Sequence, residues 1–94
     1  EFEAGFPYFS EGAIRYLLEK CPNLNILGVD SFSVDRQGSN SEVHRTLFER
    51  NILLLETLAN LKDIDQELHT FQLVCHPIKI KGGDAAPTRA YVTF

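Results

Sequence analysis

The sequence predicts an α/β fold, and three observations carry that prediction. Two stretches place apolar residues at helical spacing, and two others are short, continuous aliphatic runs. Such runs suit strands covered on both faces, as in a parallel sheet flanked by helices. Helical and strand-like stretches also alternate along the chain, the pattern of an α/β unit. At 94 residues the chain fits one small domain and is taken as a single segment, 1–94.

The first helix is expected over about 11–21. Ser10 is a good N-cap, and Glu11 places a negative charge at the positive end of the helix dipole. Ile14, Leu17, Leu18 and Cys21 then fall on one face, and Pro22 stops the helix. Asn25–Asp30 is the first buried-strand candidate. The polar stretch Ser31–Ser41 follows as a loop, with turn chemistry at Gly38-Ser39-Asn40.

Ser41 can cap a second helix from Glu42 to Arg50, with Val43, His44, Leu47 and Phe48 as its inward stripe. Arg45 and Glu49 sit four apart on the outer face. Ile52-Leu53-Leu54-Leu55 is the second buried strand and ends in Glu56, and it should pair with the first. A short helix is expected at Lys62–Leu68. The β-rich stretch Thr70–Ile80, where Pro77 marks a kink, bulge or edge, should form a ribbon or second sheet with Ala90–Phe94 across a Gly82-Gly83-Asp84 loop.

Composition excludes several functions. Hydrophobic residues make up 44% of the chain, too many for a disordered tail. No apolar run approaches the ~18 residues of a bilayer span, so no membrane partner is expected. The opening residues lack the basic and apolar regions of a signal peptide. Nine basic against thirteen acidic side chains, without a basic cluster, argue against nucleic acid. Two cysteines are too few for a disulfide framework and suit a reducing compartment, so a cytoplasmic location is expected. Methionine is absent, so the chain does not begin at an initiator, and a processed product or a piece of a longer protein is expected. A segment cut from a larger fold needs partners for its apolar faces, and self-association is expected.

His44 and Glu56 stand out as a candidate pair. From His44 the helix climbs about 9 Å to Arg50. A strand returning from Ile52 covers about 13 Å to Glu56, which brings the carboxylate back beside the imidazole. On these features alone two readings stand: a shared metal site, or a satisfied core histidine beside a glutamate that reaches solvent. His69 and His76 fit surface roles, and their spacing matches no familiar ligand pattern. Cys21 and Cys75 fit buried, inert thiols. Asp30 and Asp35 follow a parallel-type strand, where α/β folds place ligands, but capping and Asx-turn roles suit them equally. Gly82-Gly83 lacks the rest of a phosphate loop.

Four motifs in register resemble one family. Gly28-Val29-Asp30-Ser31-Phe32-Ser33-Val34-Asp35 is similar to the Gly-Ile-Asp-Thr-x-Ser-x-Asp segment of the putative cyclase family, which includes bacterial kynurenine formamidases and isatin hydrolases. His44-Arg45-Thr46-Leu47-Phe48, with Asn51-Ile52 and Glu56-x-Leu58-Ala59-Asn60-Leu61, resembles its His-x-x-Leu-Leu … Ile-x-x-x-Glu-x-Leu-x-Asn-Leu stretch. Pro77-Ile78-Lys79-Ile80, Gly83-Asp84 and Pro87-Thr88-Arg89-Ala90 resemble its Pro-Leu-Lys-Ile … Gly-x-Pro-x-Arg-Ala ending, and Gly5-Phe6-Pro7 with Ser10 fits the stretch before the Asp motif.

The resemblance implies the C-terminal portion of a cyclase-type fold, helices packed on a mixed sheet. It implies part of a metal-dependent hydrolase acting on an amide, formamide or cyclic amide. His44 and Glu56 match the family's His and Glu ligands, twelve residues apart, for Zn²⁺ or Mn²⁺. The family's N-terminal His-x-Gly-Thr-His-x-Asp-x-Pro-x-His motif has no counterpart here, because the only histidines are 44, 69 and 76. This chain alone is therefore expected to hold metal weakly or not at all, and to need the missing half or a partner chain. The resemblance leaves Asp30 and Arg89 to shape the site or merely support it. The rival reading is a non-catalytic scaffold or interaction subunit.

Overall fold

The computed structural model describes residues 5–94. They form two helices, a single 3₁₀ turn and four short strands, an α/β arrangement as the alternation predicts. The chain divides into two compact units, the first ending at Leu61 and the second spanning Lys62–Phe94.

In the first unit, helix α1 spans Glu11–Lys20, and Ser10 caps it by accepting the Ala13 N–H at 3.1 Å. Ile14 and Leu18 face the core, and Leu17 packs against it. Cys21 departs from expectation, for it is exposed and lies past the last helical residue. The ring of Pro22 disfavours helical backbone at the preceding residue, and that turns the thiol away from the buried face.

Strand β1 (Ile26–Gly28) and strand β2 (Leu53–Leu55) pair in parallel, Ile26 opposite Leu53 and Gly28 opposite Leu55. Helix α2 (Glu42–Glu49) lies on the connection between them, which makes a βαβ crossover. Val34, Val43, Leu47 and Ile52 join Ile14 and Leu18 in one buried cluster.

Helix α2 ends in a Schellman motif. Asn51 adopts the left-handed region at φ 59°, its N–H donates to the Phe48 carbonyl, and the Ile52 N–H donates to the Leu47 carbonyl. The buried side chains of Leu47 and Ile52 supply the hydrophobic contact that usually accompanies this motif. Of the predicted inward stripe, Val43 and Leu47 are buried, whereas Phe48 is 51% exposed. Phe48 lies on the flank of the helix and meets the His44 ring edge-on, with centroids 5.8 Å apart. Arg45 and Glu49 are exposed, as an outer face requires.

In the second unit, strands β3 (Gln72–Pro77) and β4 (Thr88–Thr93) form an antiparallel ribbon, with Pro77 at the strand end. The expected Lys62–Leu68 helix is replaced by a 3₁₀ turn at Leu61–Asp63 and a separate turn in which the Leu68 N–H donates to the Asp65 carbonyl. The Asp65 carboxylate accepts the Glu67 N–H at 2.9 Å, and such local bonding competes with helix formation. Among the described residues, no helix is long and apolar enough to cross a membrane.

Candidate metal centre

The site forms at the C-terminal ends of the two parallel strands, where α/β sheets commonly bind ligands. The loop after β1 carries Ser33, Val34 and Asp35; the first turn of α2 carries His44; Glu56 follows β2 directly. Its geometry joins three side chains in a line. His44 Nδ1 lies 2.6 Å from Asp35 Oδ2, and His44 Nε2 lies 3.5 Å from Glu56 Oε2. Glu56 Oε2 also accepts the Val34 N–H at 3.0 Å.

Local backbone geometry aims Glu56. Thr57, the next residue, sits at φ 57°, a conformation that costs a β-branched residue about 1–2 kcal/mol. The chain thereby turns back across β1, with the Thr57 N–H donating to the Ser31 carbonyl at 2.9 Å and the Leu58 N–H to the Val29 carbonyl at 3.0 Å. Ser31 in turn donates its hydroxyl to the Pro7 carbonyl.

Asp35 supplies what Ser41 was expected to supply. Ser41 is in the left-handed region and its side chain makes no cap hydrogen bond. Instead Asp35 Oδ1 accepts the Val43 N–H and Oδ2 accepts the His44 N–H, both at 2.9 Å. A buried carboxylate eight and nine residues upstream of the two amides thus caps α2, where the helix dipole also favours its charge. Burial works to raise the Asp35 carboxyl pKa, but the His44 ring hydrogen bond, the two amides and the ring's charge hold it below the ordinary value.

The ring and carboxylate atoms have a spacing that suits a cation. Two ligands about 2.1 Å from a tetrahedral centre lie about 3.4 Å from each other, close to the observed 3.5 Å. Nδ1 bonded to a carboxylate is also the usual arrangement of a metal-ligating histidine. Asp35, with both oxygens engaged, is a partner of the ring rather than a third ligand. Among the described residues no group of three or more His, Cys, Asp and Glu side chains is arranged to hold a metal ion.

Asp30 is exposed just after β1, and His69 is exposed. In the ribbon, His76 is exposed, opposite Arg89 in register and beside the Tyr91 ring at 6.1 Å; Cys75 is half-buried. Spacing alone did not reveal the Val34 N–H or the double role of Asp35. The available signal was weak, an aspartate in a polar loop with an apolar residue before it.

Comparison with known proteins finds two similar relatives, both named as cyclase-like. It is 27% identical over 89 residues to Cyclase-like protein 3 of Arabidopsis thaliana, covering 95% of this chain and 32% of the relative. It is 29% identical over 90 residues to Cyclase-like protein 1 of the same plant, covering 95% of this chain and 34% of the relative. Both relatives carry cyclase-like names, in keeping with the family that the motifs resemble, and the chain spans about a third of the length of the curated relatives it matches. No family model and no solved structure matches the chain.

Proposed function

We propose that this chain is part of a metal-dependent hydrolase acting on an amide, formamide or cyclic amide, with His44 and Glu56 as metal ligands. The single observation that carries the reading is the 3.5 Å approach of His44 Nε2 to Glu56 Oε2, with Nδ1 already engaged by Asp35. A Zn²⁺ or Mn²⁺ ion held there would supply hydroxide at neutral pH and polarise the substrate carbonyl.

The chain's own residues hold and orient. Asp35 fixes the imidazole, and the Val34 N–H fixes the carboxylate, so the two ligand atoms keep their separation without rearrangement. Neither side chain is a nucleophile or a proton shuttle in this reading. Catalytic zinc sites typically use three protein ligands, so the remaining donor and the proton-transfer group come from outside these 94 residues, in the longer protein or a partner chain.

The test is an assay of bound Zn²⁺ or Mn²⁺ and of hydrolysis of N-formylkynurenine and isatin, on a full-length protein that contains this segment. Stoichiometric metal and turnover, both abolished by His44→Ala, are expected. Metal-free, inactive full-length protein with no complementing partner chain would favour the scaffold reading instead.

A further inference from the structure

We propose that Asp35 is the positioning residue of this pair: its carboxylate sets both the start of α2 and the tautomer of His44, which leaves Nε2 as a bare lone pair facing Glu56. The inference rests on the metal-site reading for its purpose, but its geometry stands without it.

Three donors converge on Asp35, which is 6% exposed. Oδ1 takes the Val43 N–H, and Oδ2 takes both the His44 N–H and the His44 ring at Nδ1. An ionised carboxylate only accepts, so the ring proton belongs on Nδ1. Because the main chain and the ring of His44 share one oxygen, the ring cannot rotate without losing the short bond. Asp35 is itself steadied, its N–H donating to Ser33 Oγ at 3.1 Å.

The neighbouring residue does the matching task for Glu56. Val34 donates its N–H to Glu56 Oε2, so two consecutive residues of one loop hold the two members of the pair, one through its backbone and one through its side chain. A neutral Nδ1–H imidazole then turns an acceptor toward another acceptor 3.5 Å away. That juxtaposition is unfavourable unless positive charge sits between them, which either a second ring proton or a divalent cation supplies.

The experiment reads the His44 ring by ¹⁵N–¹H correlation NMR at about pH 8, where an unperturbed imidazole is neutral, together with a Zn²⁺ titration. The 94-residue chain should show the Nδ1–H tautomer. In Asp35→Ala the ring should move its proton to Nε2, the side on which Glu56 remains as acceptor, and Zn²⁺ should bind about 10–100-fold more weakly. Leu18→Ala, a core deletion on α1, should leave both readouts unchanged in the folded protein, which separates positioning from general loss of stability.

Should Asp35→Ala not fold, Glu56→Gln serves: it should weaken Zn²⁺ binding and leave the Nδ1–H tautomer in place. An Nε2–H or doubly protonated ring in the parent chain would overturn the inference, as would unchanged Zn²⁺ affinity in Asp35→Ala. An Asp35-dependent tautomer in a protein that takes up no Zn²⁺ would leave the positioning role standing and remove the metal reading.

Discussion

Glu56 accepts the backbone N–H of Val34 at 3.0 Å, which ties the residue ending β2 to the loop that follows β1. That loop also carries Asp35, so the position of Glu56 relative to His44 is set within one crossover unit.

Glu56→Gln keeps an oxygen for the Val34 N–H and removes the charge facing His44. Thermal unfolding of this variant should match the parent closely. Zn²⁺ or Mn²⁺ uptake by the full-length protein should fall by more than the ~10–100-fold typical of losing an outer-shell partner. Unchanged metal content by elemental analysis would remove Glu56 from the ligand set.

The 94-residue chain alone should hydrolyse neither N-formylkynurenine nor isatin at an enzymatic rate. Two protein ligands leave a zinc ion one short of the usual three, and loss of a proton-transfer group typically costs ~10²–10⁴ in rate. Turnover by this chain with tightly bound, stoichiometric metal would mean that ligands other than His44 and Glu56 exist within it.

Asn51 closes α2 in a left-handed conformation that glycine adopts without strain and alanine does not. Asn51→Ala should therefore destabilise the chain by about 1 kcal/mol, while Asn51→Gly should be neutral or slightly stabilising. Urea unfolding of the two variants checks the order; equal midpoints would contradict it.

Leu47→Ala should cost about 3 kcal/mol, because the side chain is fully buried and ties α2 both to the core and to Ile52. A loss below 1 kcal/mol in denaturant unfolding would mean that the cavity collapses or that the cluster contributes little.

Self-association is the last expectation. Leu53, in the middle of β2, is 63% exposed, and Phe48 stands exposed beside the site. Apolar side chains left in water on a two-stranded parallel sheet favour a covering surface. Sedimentation velocity should show concentration-dependent association of the 94-residue chain, and Leu53→Lys should reduce it. A monomer at all concentrations would contradict this.

The helices and the parallel pair were legible because they depend on local periodicity. Ile14, Leu17 and Leu18 mark one face of α1, and the unbroken Ile52–Leu55 run marks a strand, although Leu53 in it is 63% exposed where burial on both faces was expected. The approach of His44 to Glu56 was legible for the same reason, since a helix rise of about 9 Å and a strand return of about 13 Å bring the chain back alongside the start of α2.

Tertiary structure decided the rest, because capping and ring orientation depend on which groups meet across a loop. Ser41 had every local qualification for an N-cap, yet a left-handed backbone removed it from that role and Asp35 took its place from the preceding loop. Cys21 occupied the right heptad-like position for burial, but the helix ended one residue before it. By itself, the sequence determined an α/β crossover that brings a histidine and a glutamate to one end of a parallel strand pair. Only the folded loop decided that Asp35 holds the ring and Val34 the carboxylate. Periodicity records which face a residue occupies, whereas a hydrogen bond between distant residues is chosen by packing, once burial leaves each donor a single acceptor within reach.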